Sequence, residues 1–243
     1  MHRVAERRWT SNPACCCPLP LCDLAGAESG MPPRPEKRRQ MLDAAFELLL
    51  RDGPAGLSMD ALANAAEVSK PTIYAHFGSK SDLCTAMIEE CGERIRTAVD
   101  PVVSTVRGDD VRGELLVLAR ECLAALAHPR CVALFRMLVV EGPRNRALRE
   151  VVDSSVVGPL HEQIEHAFER LTSGGGLAGA TPREMRTLFL GMLDGVWMCP
   201  VLVGLKPPLT EDEVAANGAL IADSMLNAFG PGVPGDRLTP SGG

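Results

Sequence analysis

The sequence predicts an all-α protein, and three observations carry the prediction. Apolar residues recur at the 3.6-residue helical period in segment after segment, and no stretch alternates as a strand would. The breaks between segments are marked by Gly, Pro and capping side chains. The architecture expected is an N-terminal three-helix unit containing a helix–turn–helix, followed by a larger helical body.

The elements follow in order. The first helix, about 36–51, has an apolar face of Met41, Ala45, Leu48 and Leu49. Arg39, Asp43, Glu47 and Arg51 line its opposite stripe at i+4 steps, and Gly53-Pro54 stops it. Ser58 caps a short second helix carrying Leu62, Ala65 and Ala66. After a turn at Glu67-Val68, Ser69 caps a third that runs to Phe77 and ends at Gly78, with Pro71 tolerated in its first turn. Ser79-Lys80-Ser81-Asp82 opens the next helix, about 79–98, with Pro101 beyond its end. The body continues as helices at about 110–127, 130–141, 143–171, 182–204 and 211–229, the last two opened by capping boxes at Thr181 and Thr210. The domains expected are an unstructured extension 1–33, a helix–turn–helix unit 34–95, a helical body 96–230 and a loose tail 231–243.

Composition narrows the function. The chain has 243 residues, 46% hydrophobic and 23% charged, enough for a sizeable core and unlike a wholly disordered protein. Aromatic residues are 4% with one tyrosine, which excludes a stacking surface for single-stranded nucleic acid. Net charge is −6, so any contact with nucleic acid must come from a local patch. Residues 34–80 carry seven basic and six acidic side chains, against fifteen and twenty-two over 81–243. That asymmetry suggests two roles in one chain.

The nine cysteines are an odd number in a chain too large to need disulfide staples. Cys84, Cys91, Cys122, Cys131 and Cys199 fall in apolar helical contexts, which fits a reducing cytoplasm. Cys15, Cys16, Cys17 and Cys22 lie among prolines that interrupt any signal-peptide core, and their spacing fits no zinc site. Met31 is a second candidate start of translation. No metal and no cofactor are expected.

Residues 58–77 read as helix, tight turn, helix, a pair able to place its second helix N-terminus first into a major groove about 12 Å wide. That helix is too short and polar for a core element. Ile73 and Phe77 can anchor it, leaving Lys70, Thr72, Tyr74 and His76 for outer faces.

From Glu36 to Leu83 the sequence closely resembles the DNA-binding domain of the TetR/AcrR family of transcriptional regulators. The residues that carry the likeness are Ala44-Ala45-Phe46, Leu49, Gly53, Ser58-Met59, Leu62-Ala63, Ala66-Glu67-Val68-Ser69, Thr72 to Phe77 and Ser79 to Leu83. Glu141-Gly142-Pro143 and the Gly191–Gly204 stretch look like an AefR-type regulatory domain. Two departures stand out: Glu67 holds a turn position where family members often carry Gly, and Pro71 removes a backbone donor.

The resemblance implies that Tyr74 and His76 hydrogen-bond phosphates. Lys80 can add its ammonium at the positive end of the following helix, and Ser58 can serve phosphate while capping. Lys70 and Thr72 are candidates for base edges or, equally, for backbone contact. Arg34, Lys37, Arg38 and Arg39 either reach the DNA backbone or minor groove or are simply solvated. The expected DNA-facing set is Arg34, Lys37, Ser58, Met59, Ser69, Lys70, Pro71, Thr72, Tyr74, His76 and Lys80.

In the body, Leu134, Phe135, Leu138, Phe168, Phe189, Met192, Leu193, Val196, Trp197 and Met198 either line a chamber for a small hydrophobic effector or form ordinary core. Ala215, Ala219, Ala222 and Leu226 make a small-residue seam, with Leu220, Ile221, Met225 and Phe229 as a second face. Two apolar faces suggest a homodimer through the last two helices.

Thr187–Leu205 is the most apolar window, but it holds Asp194, Pro200 and three glycines. A central Asp costs roughly 2.5–3.5 kcal/mol on insertion, so a helix buried within the protein is expected, not a membrane span. The whole reading is a cytoplasmic, effector-responsive repressor that binds double-stranded DNA at a near-palindromic operator. An enzyme is the competing class, but no glycine-rich phosphate loop, metal-ligand spacing or nucleophile–base pair accompanies the dispersed histidines His2, His76, His128, His161 and His166. A helical adaptor for proteins alone would not need the Ser69–Phe77 chemistry.

Overall fold

The structure is a computed structural model and describes residues 34–231, except for the side chains of Arg34, Pro35, Val196 and Trp197. The expectations for 1–33 and 232–243, including the four N-terminal cysteines, lie outside the described residues. Every regular element among those described is helical.

The first unit is built by capping. α1 (Arg34–Gly56) breaks at Gly53, whose φ of 69° and ψ of −171° are non-helical, so the chain turns there as expected. α2 (Met59–Ala65) starts where Ser58 Oγ accepts from Ala61 N at 3.1 Å. α3 (Lys70–Phe77) starts where Ser69 Oγ accepts from Thr72 N at 3.3 Å, and Gly78 ends it with φ 71°. Between α2 and α3, Glu67 has φ 53°, the one non-glycine with positive φ among the described residues. A non-glycine in this region costs roughly 1–2 kcal/mol, which the turn bonds Ala66 N→Leu62 O at 2.9 Å and Val68 N→Ala63 O at 3.0 Å help to offset.

α4 (Lys80–Thr105) is longer than the sequence predicts because it runs through Pro101. A helical proline loses one hydrogen bond and crowds the preceding turn, but Val99, Val103 and Val106 beyond and before it are all buried. The expected boundary at 95/96 therefore falls inside a helix that serves both halves.

The body contains α5 (Val111–Leu126), α6 (Pro129–Glu141), α7 (Arg146–Val152), α8 (Gly158–Ser173), α9 (Pro182–Leu202) and α10 (Glu211–Phe229). The segment expected as one helix from 143 to 171 is divided: a 3₁₀ turn at Gly142–Arg144, then α7, then a π turn at Asp153–Val157 before α8. Pro159 has no N–H to offer the Ser155 carbonyl four residues back. That carbonyl faces α4 so closely that a Cβ added to Gly92 would lie 2.0 Å from it.

α10 lies along α5, α9 against α8, and α6 against α1. One continuous apolar cluster runs from Met41 and Phe46 through Met87 and Leu123 to Phe189 and Phe229. Both predicted capping boxes are present, at Thr181/Glu184 and Thr210/Glu213. α9 is long and apolar enough to cross a membrane by length and composition, with mean hydropathy 1.3. Only 25% of that window is buried, so the expectation that one chain would enclose it is not met.

Candidate nucleic-acid interface

α3 is held from below and open above. Ile73 and Phe77 are buried, as the i, i+4 spacing requires, and the Arg38 guanidinium lies 5.2 Å from the Phe77 ring centroid. Arg38 thus covers the anchor of α3. Together with Arg39, Leu42, Ala86, Glu89 and Glu90 it also borders a cleft of about 320 Å³ between α1 and α4.

The outer face carries the expected polar residues. Ser69, Lys70, Pro71, Tyr74 and Lys80 are exposed, Tyr74 by 43%, and Thr72 and His76 are half-buried. Ser58 is exposed beside its cap, and Lys37 is half-buried on α1. The Arg34 side chain lies outside the described residues. Met59 departs from the set: it is buried in the core at 7% exposure, so its side chain packs and does not face solvent. The hydroxyl of Thr72 meets Ser69 Oγ at 2.8 Å and is engaged in the cap.

Lys70 reaches back to α2, where its Nζ lies 2.7 Å from Asp60 Oδ1. That hydrogen bond, with the carboxylate charge behind it, raises the lysine above its ordinary range. Asp60 did not enter the sequence reading. The available signal was an opposite charge in the first turn of the preceding helix. The surface is therefore a short helix bearing a phenol, a half-buried imidazole and an ammonium held by the exposed Asp60 carboxylate, with a second ammonium at the start of α4. Such a surface suits phosphates flanking a groove.

The ten chamber candidates separate. Phe168, Phe189 and Leu193 are completely buried, the two rings edge-to-face at 5.5 Å, and they form core. Leu134, Phe135 and Leu138 line a small void of about 10 Å³ between α4, α6 and the π turn. Leu138 also borders an open cleft of about 440 Å³ with Val139, Pro143, Arg149, Val152 and Asp153. Met192 and Met198 are half-buried, and the side chains of Val196 and Trp197 lie outside the described residues.

The seam on α10 is also revised. Ala222 is fully buried and faces its own chain with Gly218, Ile221, Met225 and Phe229. Ala215, Ala219 and Leu226 are partly covered. On α9 and α10 the bare apolar residues include Leu220, at 59%, and a stripe of Leu188, Gly191, Gly195 and Cys199 running on to Val203. Asp194 stands on this side of α9, and desolvation pushes its carboxyl up.

Comparison with known proteins matches the same two parts. Residues 41–87 fit the family described as bacterial regulatory proteins, tetR family, and residues 113–231 fit the AefR-like transcriptional repressor C-terminal domain. An uncharacterized HTH-type transcriptional regulator of Mycobacterium tuberculosis is 28% identical over 207 residues, covering 85% of this chain and 94% of that one. The HTH-type transcriptional activator FasR of Mycolicibacterium smegmatis is 41% identical over 108 residues, 44% of this chain and 42% of FasR. Among solved structures, a TetR-family regulator from Mesorhizobium loti superposes with TM-score 0.72 at 21% identity, covering 82% of this chain and all of that one. The flavonoid-responsive regulator FrrA does so with TM-score 0.61 at 26% identity, over 82% of this chain and 100% of FrrA.

Proposed function

Since the chain belongs to the tetR family of transcriptional regulators, we propose that it acts as a homodimeric repressor. In this reading it grips a near-palindromic operator with α3 and is released by a small apolar effector. The single observation that carries the reading is the α3 surface: Lys70, Tyr74 and Lys80 exposed around a helix whose buried anchors are Ile73 and Phe77. Tyr74, His76, Lys80 and Ser58 are phosphate contacts. Lys70 must leave Asp60 before it can reach a base edge or a phosphate, so its engagement is an exchange of partners.

The bare stripe of α9, with Leu220 of α10, supports pairing with a second copy. A soluble chain rarely leaves such a patch in water, and small residues at Gly191 and Gly195 let a partner helix approach closely. The pairing brings two α3 helices onto one face of the duplex, in successive major grooves. DNA binding places the protein in the cytoplasm. The functional units are 34–95 and 96–230, with α4 common to both.

The effector reading rests on the cleft by α6 and α7 and the void behind it, and on FrrA, a relative in fold that is flavonoid-responsive. An effector acts only through its different affinity for the DNA-competent and incompetent arrangements. One specific observation favours the opposite sign of control: FasR is an activator, whereas the matched body family is described as a repressor.

The test is fluorescence anisotropy against DNA from upstream of the gene, titrated with salt, then transcription in vitro from that DNA. Repression predicts salt-sensitive binding and less transcript. Binding without salt dependence contradicts the phosphate contacts, and more transcript selects activation.

A further inference from the structure

α4 and α6 lie side by side and antiparallel, and their register can be read from three cross-helix pairs. Cys84 Sγ meets Met137 Sδ at 3.7 Å, and Glu90 Oε1 meets Arg130 Nη1 at 3.1 Å. Cys91 and Cys131, each one residue beyond that ion pair, form the third and face one void between the helices. Both are buried, at 3% and 1% exposure, and both line the same small void with Ile95 and Leu134. Leu138 and Val152 border this void and also the open cleft, so one layer of side chains separates the thiols from solvent.

The two thiols are unequal. Cys131 is in the first turn of α6, where unpaired N–H groups and the helix dipole favour a thiolate. The contact with the Cys91 thiol, aided by the Arg94 charge, holds Cys131 below the ordinary thiol range although burial opposes this. The same contact, reinforced by desolvation, pushes Cys91 far up. Its place in the first turn of α6 prepares Cys131 as the nucleophile, and Cys91, inside α4, is the resolving thiol.

We propose that Cys91 and Cys131 are a hydroperoxide-reactive pair whose disulfide resets the α4–α6 seam and lowers DNA affinity, the second half resting on the DNA-binding reading above. The Cys131 thiolate attacks the O–O bond of hydrogen peroxide, becomes a sulfenic acid and releases hydroxide, which takes the thiol proton and leaves as water. The Cys91 thiolate then attacks that sulfenic sulfur and displaces hydroxide, which takes up the proton Cys131 gave up on ionising and leaves as a second water. Two thiols lose two electrons and two hydrogens, and one peroxide is reduced to two waters.

A disulfide holds its sulfurs about 2.05 Å apart, closer than a thiol hydrogen bond, so the helices are drawn together at this point. The neighbouring residue passes the shift on. Arg130 Nη2 pairs with Asp43 of α1 at 2.8 Å, and its guanidinium lies 4.9 Å from the Phe46 ring centroid.

The test uses the full chain with Cys15, Cys16, Cys17, Cys22 and Cys199 replaced by Ser, treated with hydrogen peroxide and mapped by non-reducing peptide mass spectrometry. The expected result is a Cys91–Cys131 linked peptide lacking two hydrogens. Operator affinity should fall on the order of tenfold and recover with dithiothreitol. In Cys91→Ser, which keeps a hydrogen-bond donor beside Cys131, dimedone should label Cys131 and no disulfide should form. Unmodified Cys91 and Cys131 after peroxide, or an unlabelled Cys131 in that variant, overturns the site. A mapped disulfide with unchanged affinity overturns the regulatory half. Failure to bind any DNA would strike the earlier reading and leave the mapping result standing.

Discussion

α3 and α9 both leave much of their surface uncovered, and they do so in opposite chemistry. α3 is eight residues long, capped by Ser69 and anchored by Ile73 and Phe77, and its open face is lysine, tyrosine and imidazole. α9 spans 21 residues, and its open face is Leu188, Gly191, Gly195 and Cys199, with the Asp194 carboxylate beside them. Exposure alone therefore says little about a helix. The kind of atom exposed decides which partner the proposed function gives it: an anion for α3, a second apolar helix for α9.

The sharpest way to break the comparison is to put charge on the α9 side. Leu188→Asp with Leu220→Asp should give a folded monomer by sedimentation. Its operator affinity should fall by roughly a thousandfold, towards non-specific binding. A dimer that survives both changes would leave α9 without its proposed partner.

The next largest effect lies on the α3 side. Lys80→Ala should weaken binding and lower the slope of log affinity against log salt by about 1. Tyr74→Phe removes a neutral donor and should weaken binding with a smaller change of slope. Thermal melts should show both variants folded.

A smaller change should go the other way. Asp60→Asn frees Lys70 from its 2.7 Å partner and removes a negative charge beside the groove-facing helix, so affinity should rise a few-fold, on the scale of an exposed ion pair. Unchanged affinity would mean that Lys70 makes no contact with DNA.

The smallest effect separates the helices by acid. Glu184 in the α9 cap accepts from Thr181 N at 2.8 Å, and Glu213 in the α10 cap accepts from Thr210 N at 2.9 Å. Those bonds hold both carboxyls below the ordinary 4.5. Their contribution is therefore complete above that value in the unfolded chain and is lost as pH falls through the lower folded value. The cap of α3 is an uncharged serine. Hydrogen exchange between pH 5 and pH 3 should show the first turns of α9 and α10 opening before α3. Glu184→Gln with Glu213→Gln should flatten that dependence.

Much of the helix–turn–helix was legible because local chemistry fixes it. Serines at 58, 69 and 79 each cap a helix, and Gly53 and Gly78 take the positive φ that ends one. The strained turn at Glu67 was readable only through resemblance, as a residue where relatives have Gly. The body was less legible because its decisive features are non-local. Nothing near Pro101 announces that Val99, Val103 and Val106 will be buried deeply enough to carry α4 past it. The π turn depends on Pro159 and on the close approach of Ser155 to Gly92, far apart in sequence. Which face of α10 is internal was likewise undetermined, since both offered apolar residues and α5 selected the one with Ala222. The Lys70–Asp60 and Arg130–Asp43 pairs arise from the same tertiary placement.

The most direct measurement of the central claim is a hydroxyl-radical footprint on an operator selected from genomic fragments. Two protected half-sites are expected on one face of the duplex, both lost together when Tyr74 and Lys80 are substituted. Protection unaffected by those substitutions, or none on any fragment, would contradict it.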